Sequence, residues 1–169
     1  MLIGEVIPYV VRYLKDNPGA KEHNEFDHVI VDEYQDLNKA EQTSIASLSE
    51  SAHICIVGDD DQSIYSFKSA HPDGIRAWKT IHEGCADFEM VECQRCPTTV
   101  VAMANSLISY NKYRDPRELK PIEAKGKGDV EIVQLSNPAV EAKWIAKKVK
   151  ALLDGGVQAS EIIVLIQRK

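Results

Sequence analysis

Two short apolar runs, each followed at once by acidic residues, restrict the fold of this chain more than any other feature. The first run covers residues 28–31 and ends on Asp32 and Glu33; the second covers residues 53–57 and ends on Gly58 and three aspartates. Continuous apolar runs of this length are typical of strands buried on both faces of a parallel sheet. Because parallel strands share one carboxyl edge, where α/β folds bind their ligands, the pattern predicts a polar site at that edge.

Segments with helical spacing of apolar residues separate the predicted strands. Residues 5–16 form the first predicted helix, and Asn38 with Glu41 three residues later gives the second helix a capping box. The remaining predicted elements are helices beginning at Pro72, Pro97 and Pro138 and strands at residues 88–92, 129–135 and 161–167. This alternation predicts parallel βαβ units with helices on both faces of a sheet, hence an α/β fold.

Residues 113–128 interrupt the alternation. They are rich in charge and contain two prolines and two glycines, which predicts a linker between residues 1–112 and residues 129–169. The strand–helix–strand pattern restarts after this linker. One βαβ unit of about 40 residues is too small for a core of its own, so residues 129–169 are predicted to be the beginning of a second domain.

Composition narrows the class of protein. The chain has 169 residues, of which 44% are hydrophobic and 27% charged, as in ordinary globular proteins. The net charge of −6 argues against binding nucleic acid by bulk electrostatics alone, although it leaves room for a local groove. No apolar run approaches the roughly 20 residues of a membrane span, and the N-terminus lacks the basic region of a secretory signal. We therefore expect a cytoplasmic protein without a membrane partner and with reduced cysteines.

The paired carboxylates of Asp32 and Glu33 indicate metal and phosphate chemistry. Two neighbouring carboxylates repel each other and require a cation or unequal pKa values. Mg²⁺ with a phosphate ligand meets that requirement, because one carboxylate binds the metal while the other orients or deprotonates an attacking water. The alternative is an exposed turn that leads into the next helix.

The second acidic strand end continues into a loop with aromatic residues. An EF-hand is excluded there, because Ile64 and Ala70 stand where that loop needs glycine and glutamate. Tyr65 and Phe67 follow, and aromatic side chains in such a loop either stack on unpaired bases or pack into a core.

Two motifs now give a specific resemblance. "VDEYQDLN" at residues 31–38 and "GDDDQSIYSFKSA" at residues 58–70 resemble motifs II and III of UvrD/Rep-type superfamily one DNA helicases, whose patterns run close to V-D-E-[FY]-Q-D and G-D-D-D-Q-S-I-Y-x-[FW]-[RK]-x-A. The stretch that begins "VECQRCPTTV" at residue 91 resembles motif IV. The resemblance implies a RecA-like parallel sheet with flanking helices, as part of a P-loop NTPase domain, and the start of a second RecA-like domain at residues 129–169.

The same resemblance implies a role for each matching residue. Asp32 would bind Mg²⁺, and Glu33 would activate the water that attacks the γ-phosphate of ATP. Gln62 would sense the γ-phosphate, and Arg95 would contact it and neutralise charge. The residues implied to contact single-stranded DNA are Tyr65, Phe67, Lys68 and His71, although a surface histidine before Pro72 is an equally good reading of His71.

Two departures from the family pattern qualify these roles. Motif IV usually reads N-Y-R-S, whereas this chain has Cys93-Gln94-Arg95-Cys96, so the tyrosine that stacks on adenine is replaced by Gln94. The pattern G-x-x-x-x-G-K-[ST] of a phosphate-binding loop does not occur in the 169 residues. We therefore expect a fragment of an ATP-dependent DNA helicase, which couples Mg-ATP hydrolysis to translocation on single-stranded DNA and duplex unwinding, and we expect the chain alone to be inactive.

Three alternatives stay open at this point. The chain is also consistent with a shortened helicase-like module that binds DNA or a protein without catalysis. A metal-dependent phosphoesterase or nuclease would use the same acidic strand ends, although the order of the motifs disfavours it. The spacing of His82, Cys85, Cys93 and Cys96 is compatible with a zinc site, against which stands the simpler interpretation of incidental thiols.

Overall fold

The computed structural model describes residues 3–65, 67, 69–114 and 117–166. By its internal contacts the chain divides into two units, Met1–Gly128 and Asp129–Lys169. The division falls at the end of the predicted linker. The described residues of that linker therefore belong to the first unit, because their side chains and backbone bond to it, as shown below.

The first unit contains a two-stranded parallel sheet in which exposed and half-buried residues alternate, so the predicted burial of both strands on two faces is wrong. Strand β1 is His28–Val31 and strand β2 is His53–Ile56, paired in register from His28 opposite His53 to Val31 opposite Ile56. Parallel strands need a crossover, and helix α2, Lys39–Leu48, supplies it. Helix α1, Val6–Asp16, packs against α2. Both strands therefore end at one edge, as the sequence predicts.

The start of α2 is fixed by local hydrogen bonds. The Asn38 side-chain oxygen accepts from the N–H groups of Ala40 at 2.9 Å and Glu41 at 3.1 Å, and the Glu41 carboxylate accepts from the Asn38 N–H at 2.8 Å. This is the predicted capping box. At the other side of the helix pair, the His23 ring lies 3.1 Å from the carbonyl oxygens of both Leu14 and Ser47 and so links α1 to α2.

The elements after β2 are shorter than the sequence predicts. The predicted helix from Pro72 divides into α3, Asp73–Arg76, and α4, Trp78–Ile81. The predicted strand at 88–92 is wrong in extent, because only Glu92–Cys93, strand β3, is paired, and its parallel partner is β4, Lys120–Pro121. Phe88 and Met90 are 88% and 83% exposed, so no neighbouring surface in the described chain holds that stretch in a sheet. Helix α5, Thr98–Ile108, begins after Pro97 as predicted.

The second unit is built around one helix. Helix α6, Pro138–Asp154, begins where the Asn137 side chain accepts from the Val140 N–H at 3.0 Å and ends before Gly155. The strands predicted at 129–135 and 161–167 are wrong for their described residues, which join no hydrogen-bonded strand. A sheet of only two strands is marginal in isolation, which gives the physical reason. Residues 167–169 lie outside the described part of the chain.

The described structure is thus mixed α/β with small parallel sheets, and the coarse fold class is confirmed. None of its described helices combines the length and apolar character that crossing a membrane requires.

Candidate functional site

The two strand ends are joined by close backbone contacts. The Tyr34 N–H donates to the Val57 carbonyl oxygen at 3.0 Å, just beyond the paired residues of β1 and β2. Gly58 then lies so close to the first strand end that a Cβ there would overlap the Gln35 amide oxygen and approach Ile75 Cδ1 to 2.9 Å. A larger residue at position 58 would displace the Gln35 amide and crowd the backbone nitrogen of Tyr34, 3.2 Å from that Cβ. The sequence prediction that both acidic ends share one edge is confirmed by these contacts.

Glu33 occupies an unusual backbone conformation at this edge. Its φ of 52° and ψ of 40° are left-handed values that few non-glycine residues adopt. The Glu33 N–H donates to Asp32 Oδ1 at 2.9 Å, and both carboxylates are exposed to solvent. Strained backbone of this kind is concentrated at functional sites, where the surrounding structure enforces it. The result is a pair of carboxylates presented outward from the end of β1.

Gln35 holds this arrangement and is a site residue that sequence reasoning does not single out. Its side chain is 1% exposed and bridges the two strand ends. Gln35 Nε2 donates to Glu33 Oε2 at 2.8 Å, and Gln35 Oε1 accepts from the Asp59 N–H at 3.0 Å. A buried amide needs partners for its donor and its acceptor, and this one finds both at the site. The sequence signal is a polar residue in the middle of motif II.

The aspartates after β2 are neutralised by three arginines. Arg76 Nε donates to Asp60 Oδ2 at 2.7 Å. Arg114 binds Asp61 with two donors, Nε to Oδ1 at 2.9 Å and Nη2 to Oδ2 at 2.6 Å. Arg117 Nη2 donates to both Asp59 and Asp60. No sequence signal connects these residues, because Arg114 and Arg117 lie more than 50 positions from their partners, inside the predicted linker.

Asp60 is the buried member of this cluster, with 3% of its side chain exposed. Burial by itself raises the pKa of Asp60, but the hydrogen bonds and charges of Arg76 and Arg117 outweigh it, so that the pKa of Asp60 lies below its ordinary value. The carboxylate therefore stays ionised and is occupied by guanidinium groups. Its role in the structure is to hold positive side chains.

Gln62 and Arg95, both predicted to contact the γ-phosphate, occupy different positions relative to the edge. Gln62 Nε2 donates to Asp59 Oδ2 at 2.7 Å, which ties it to the aspartate cluster. Arg95 follows β3 on the exposed surface, and its guanidinium makes no ion pair with any described carboxylate. The structure thus joins Gln62 to the strand ends by contact and leaves Arg95 unconnected to Asp32 and Glu33.

The aromatic loop follows directly on Gln62. The rings of Tyr65 and Phe67 meet edge to face with centroids 5.8 Å apart, and Phe67 is 77% exposed. The backbone of His71 is fixed, because its N–H donates to the Leu37 oxygen and its oxygen accepts from Gln42 Nε2, each at 2.9 Å. Lys68 lies outside the described residues.

The structure gives the zinc alternative no support. Among the described residues, no three His, Cys, Asp or Glu side chains are grouped so that they could hold a metal ion. The His82 ring stacks on Trp78 with centroids 4.0 Å apart, and all four cysteines are free. The backbone N–H groups of Cys96 and Arg95 lower the pKa of the Cys93 thiol, whereas burial raises the pKa of Cys96.

Comparison with known proteins places these features in a family context. Residues 3–82 match the model described as the UvrD/REP helicase N-terminal domain. The chain is 30% identical over 160 residues to a probable DNA helicase II homolog of Mycoplasma capricolum, an alignment that covers 93% of this chain and 22% of that protein. It is 29% identical over 181 residues to the ATP-dependent DNA helicase UvrD1 of Mycobacterium leprae, with 99% and 22% covered.

A third relative gives the same picture. The ATP-dependent DNA helicase PcrA of Staphylococcus epidermidis is 28% identical over 143 residues, which cover 84% of this chain and 20% of that protein. The chain therefore spans about a fifth of the length of these relatives.

Proposed function

The family match and the named relatives support a UvrD/Rep-type helicase fragment, and we propose that this chain supplies the hydrolytic edge of an ATP-dependent DNA helicase. In this proposal residues 1–112 belong to a first RecA-like domain and residues 129–169 begin a second one. Hydrolysis of ATP would drive movement on single-stranded DNA and the separation of duplex strands. The short parallel sheet with its acidic edge supports this assignment.

One observation carries the proposal: Gln35 holds the Glu33 carboxylate at the shared edge of both strands. Gln35 Nε2 holds Glu33 Oε2 at 2.8 Å, and Glu33 as a residue is exposed. A carboxylate that orients and deprotonates water must be fixed in direction and open to solvent or substrate. Glu33 meets both conditions, and we assign it the role of general base.

Asp32 fits the metal ligand of the proposed reaction. Its carboxylate is exposed at the end of β1, and Mg²⁺ prefers such oxygen ligands, commonly one or two carboxylates together with substrate phosphates. ATP would supply the γ-phosphate, and bound Mg²⁺ would neutralise part of the charge on that phosphate. Gln62 would contact that phosphate from the end of β2, and Arg95 is assigned a contact with it by its position in motif IV.

The DNA contacts belong to the loop after Gln62. The exposed face of Phe67 supports a stacking role for that ring, and base stacking on an aromatic side chain contributes about 1–3 kcal/mol per base. Tyr65 and His71 lie in the same loop, and Lys68 is assigned with them from the motif. The proposed partner is single-stranded DNA next to a duplex.

The chain by itself is proposed not to hydrolyse ATP. Its 169 residues contain no G-x-x-x-x-G-K-[ST] pattern, and that loop supplies the backbone donors and the lysine that hold the β- and γ-phosphates. Phosphate release would be measured with the purified chain, Mg-ATP and single-stranded DNA. Release no faster than that of a buffer control is expected, and DNA-stimulated release that Glu33→Gln abolishes would contradict this part of the proposal.

DNA cleavage by the purified chain and ATP hydrolysis by the whole protein together separate the alternative functions. A phosphoesterase or nuclease would cleave single-stranded DNA in the presence of Mg²⁺ and lose that activity with Asp32→Asn. A binding module without catalysis would bind DNA, while the whole protein that carries the chain would hydrolyse no ATP. The helicase proposal predicts no cleavage and DNA-stimulated hydrolysis by the whole protein.

A further inference from the structure

We propose that Arg114 and Arg117 form a latch that docks residues 117–127 onto Asp59–Asp61 and thereby holds the side chain of Gln62. The docking stands on contacts alone, and only the role of Gln62 as a nucleotide sensor rests on the proposed function. Neither arginine lies in the motifs that relate the chain to helicases. The latch therefore adds two positioning residues to the site.

The ion pairs of the latch are close and shielded. Arg114 grips Asp61 with two parallel donors, and each of these side chains is only 14% exposed. Bidentate pairs of this kind are stronger and more directional than single contacts. Arg117 bridges Asp59 and Asp60. Without these guanidinium groups, three consecutive carboxylates at one strand end would repel one another, and only Arg76 would remain to neutralise them.

The docked segment is also fastened on its other side. Asn105 of α5 exchanges two hydrogen bonds with Leu119: its Nδ2 donates to the Leu119 oxygen at 2.8 Å, and its Oδ1 accepts from the Leu119 N–H at 3.1 Å. The N–H groups of Thr98 and Thr99 donate to the oxygens of Gly126 and Lys127, both at 3.0 Å. The segment therefore connects α5 to the end of β2 and is an ordered part of the first unit.

A direct path leads from the latch to Gln62. Arg117 binds one oxygen of Asp59, and Gln62 Nε2 donates to the other oxygen at 2.7 Å. The backbone N–H of the same Asp59 is held by Gln35, the residue that fixes Glu33. Asp59 is thus hydrogen-bonded to Arg117, Gln35 and Gln62 at the same time. Releasing Arg117 removes the charged partner of Asp59 Oδ1 and leaves that oxygen only the Asp61 N–H at 3.1 Å, so the acceptor of Gln62 is held less firmly.

The experiment uses the 169-residue chain without nucleotide and compares Arg117→Met, Arg114→Met and the control Arg76→Met. Arg76 also binds Asp60, and its hydrogen bonds go to Asp60 and Asp73 rather than to the docked segment. Hydrogen exchange of the Leu119 backbone amide, followed by NMR, measures docking of the segment. The NMR signals of the Gln62 side-chain amide report the surroundings of that side chain, and the variant Gln62→Leu identifies them by their loss. Circular dichroism checks that each variant is folded.

Both latch variants are expected to speed exchange at Leu119 by about tenfold or more, since each loses hydrogen bonds between charged groups. Arg117→Met is also expected to shift the Gln62 side-chain signals. Arg117→Lys, which keeps the positive charge, should leave these signals closer to their wild-type positions. Arg76→Met should leave Leu119 unchanged. Unchanged exchange at Leu119 in both latch variants, or unchanged Gln62 signals in Arg117→Met, would overturn the proposal.

A charge swap decides the matter if a single variant fails to fold. Asp61→Arg and Arg114→Asp should each release the segment, whereas the double variant Asp61→Arg/Arg114→Asp should recover slow exchange at Leu119. A double variant no better than the single ones would overturn the latch. Because nucleotide is absent throughout, a helicase assignment that failed would leave these outcomes unaffected, and a failed latch would leave the helicase assignment in place.

Discussion

At the scale of one residue, the backbone conformation of Glu33 lowers the stability of the fold while it sets the direction of the Glu33 carboxylate. A left-handed conformation costs a non-glycine residue about 1–2 kcal/mol, because its Cβ crowds the backbone. Here the hydrogen bonds of Gln35 and of the Asp32 side chain accompany that conformation. The strain is therefore located at the residue to which we assign the general base.

Replacing Glu33 by glycine should separate stability from function. Glu33→Gly relieves the strained Cβ, worth about 1–2 kcal/mol, but leaves the buried Gln35 Nε2 without its acceptor, so the two effects oppose each other and the free energy of unfolding is expected to change by less than about 1 kcal/mol. The matched control is Glu25→Gly, since Glu25 is exposed and has an ordinary φ of −72°. That control is expected to lower the free energy of unfolding. Urea denaturation of both variants measures the difference, and equal losses in the two would contradict the account of strain.

Asp60 gives the site a dependence on acid. Its pKa is lowered in the folded chain relative to its value in the unfolded chain. Such a carboxylate contributes stability that is complete above its unfolded pKa, near about 4, and that is lost as the pH falls through the lowered folded pKa. The melting temperature of the wild type is therefore expected to fall more steeply below about pH 4 than that of Asp60→Asn. Parallel curves for the two proteins throughout the acid range would contradict this.

At the scale of the element, the capping box of α2 is the clearest local determinant. Asn38→Ala removes the acceptor for two N–H groups and is expected to lower the free energy of unfolding by about 1 kcal/mol. Lys39→Ala, at the next position on the exposed surface, is the control and should change it by less than about 0.5 kcal/mol. Urea denaturation tests both, and an Asn38→Ala variant as stable as the control would remove the cap from the account.

Elements with local signals could be predicted from the sequence, whereas those that depend on distant partners could not. Residues close together in the sequence determine the cap at Asn38, the strands β1 and β2 and the start of α6 at Pro138. The stretches at 88–92 and 129–135 have strand-like sequences, but a strand also needs a partner. Apart from Glu92, which pairs in β3, these stretches find no strand partner among the described residues.

The candidate site divides in the same way. Asp32, Glu33 and Gln62 could be chosen from motifs, because the motifs are continuous in sequence. Gln35 could be noticed but not given a role, since its bridge depends on the approach of Gly58. Arg114 and Arg117 could not be found at all, because ion pairs between positions more than 50 residues apart leave no periodicity or spacing to read.

At the scale of the whole molecule, the first unit has a small described core. Its fully buried large hydrophobic side chains include Leu14 and Val101, while Ile30 on β1 is 76% exposed. This agrees with the finding that the chain spans about a fifth of its relatives' length. The proposed hydrolytic role of this edge is therefore best tested in the whole helicase of which the chain is proposed to be a part.

The most direct test is the rate of ATP hydrolysis by that whole protein, with Mg²⁺ and single-stranded DNA present. Glu33→Gln is expected to lower kcat by about 10²–10⁴-fold, because it removes the general base, while the affinity for ATP measured by equilibrium binding stays within about threefold. Glu25 is exposed and precedes β1, at the end of that strand opposite to Asp32 and Glu33, so the control Glu25→Gln should retain full activity. If Glu33→Gln hydrolyses ATP at the rate of Glu25→Gln, Glu33 is not the general base and the central claim is wrong.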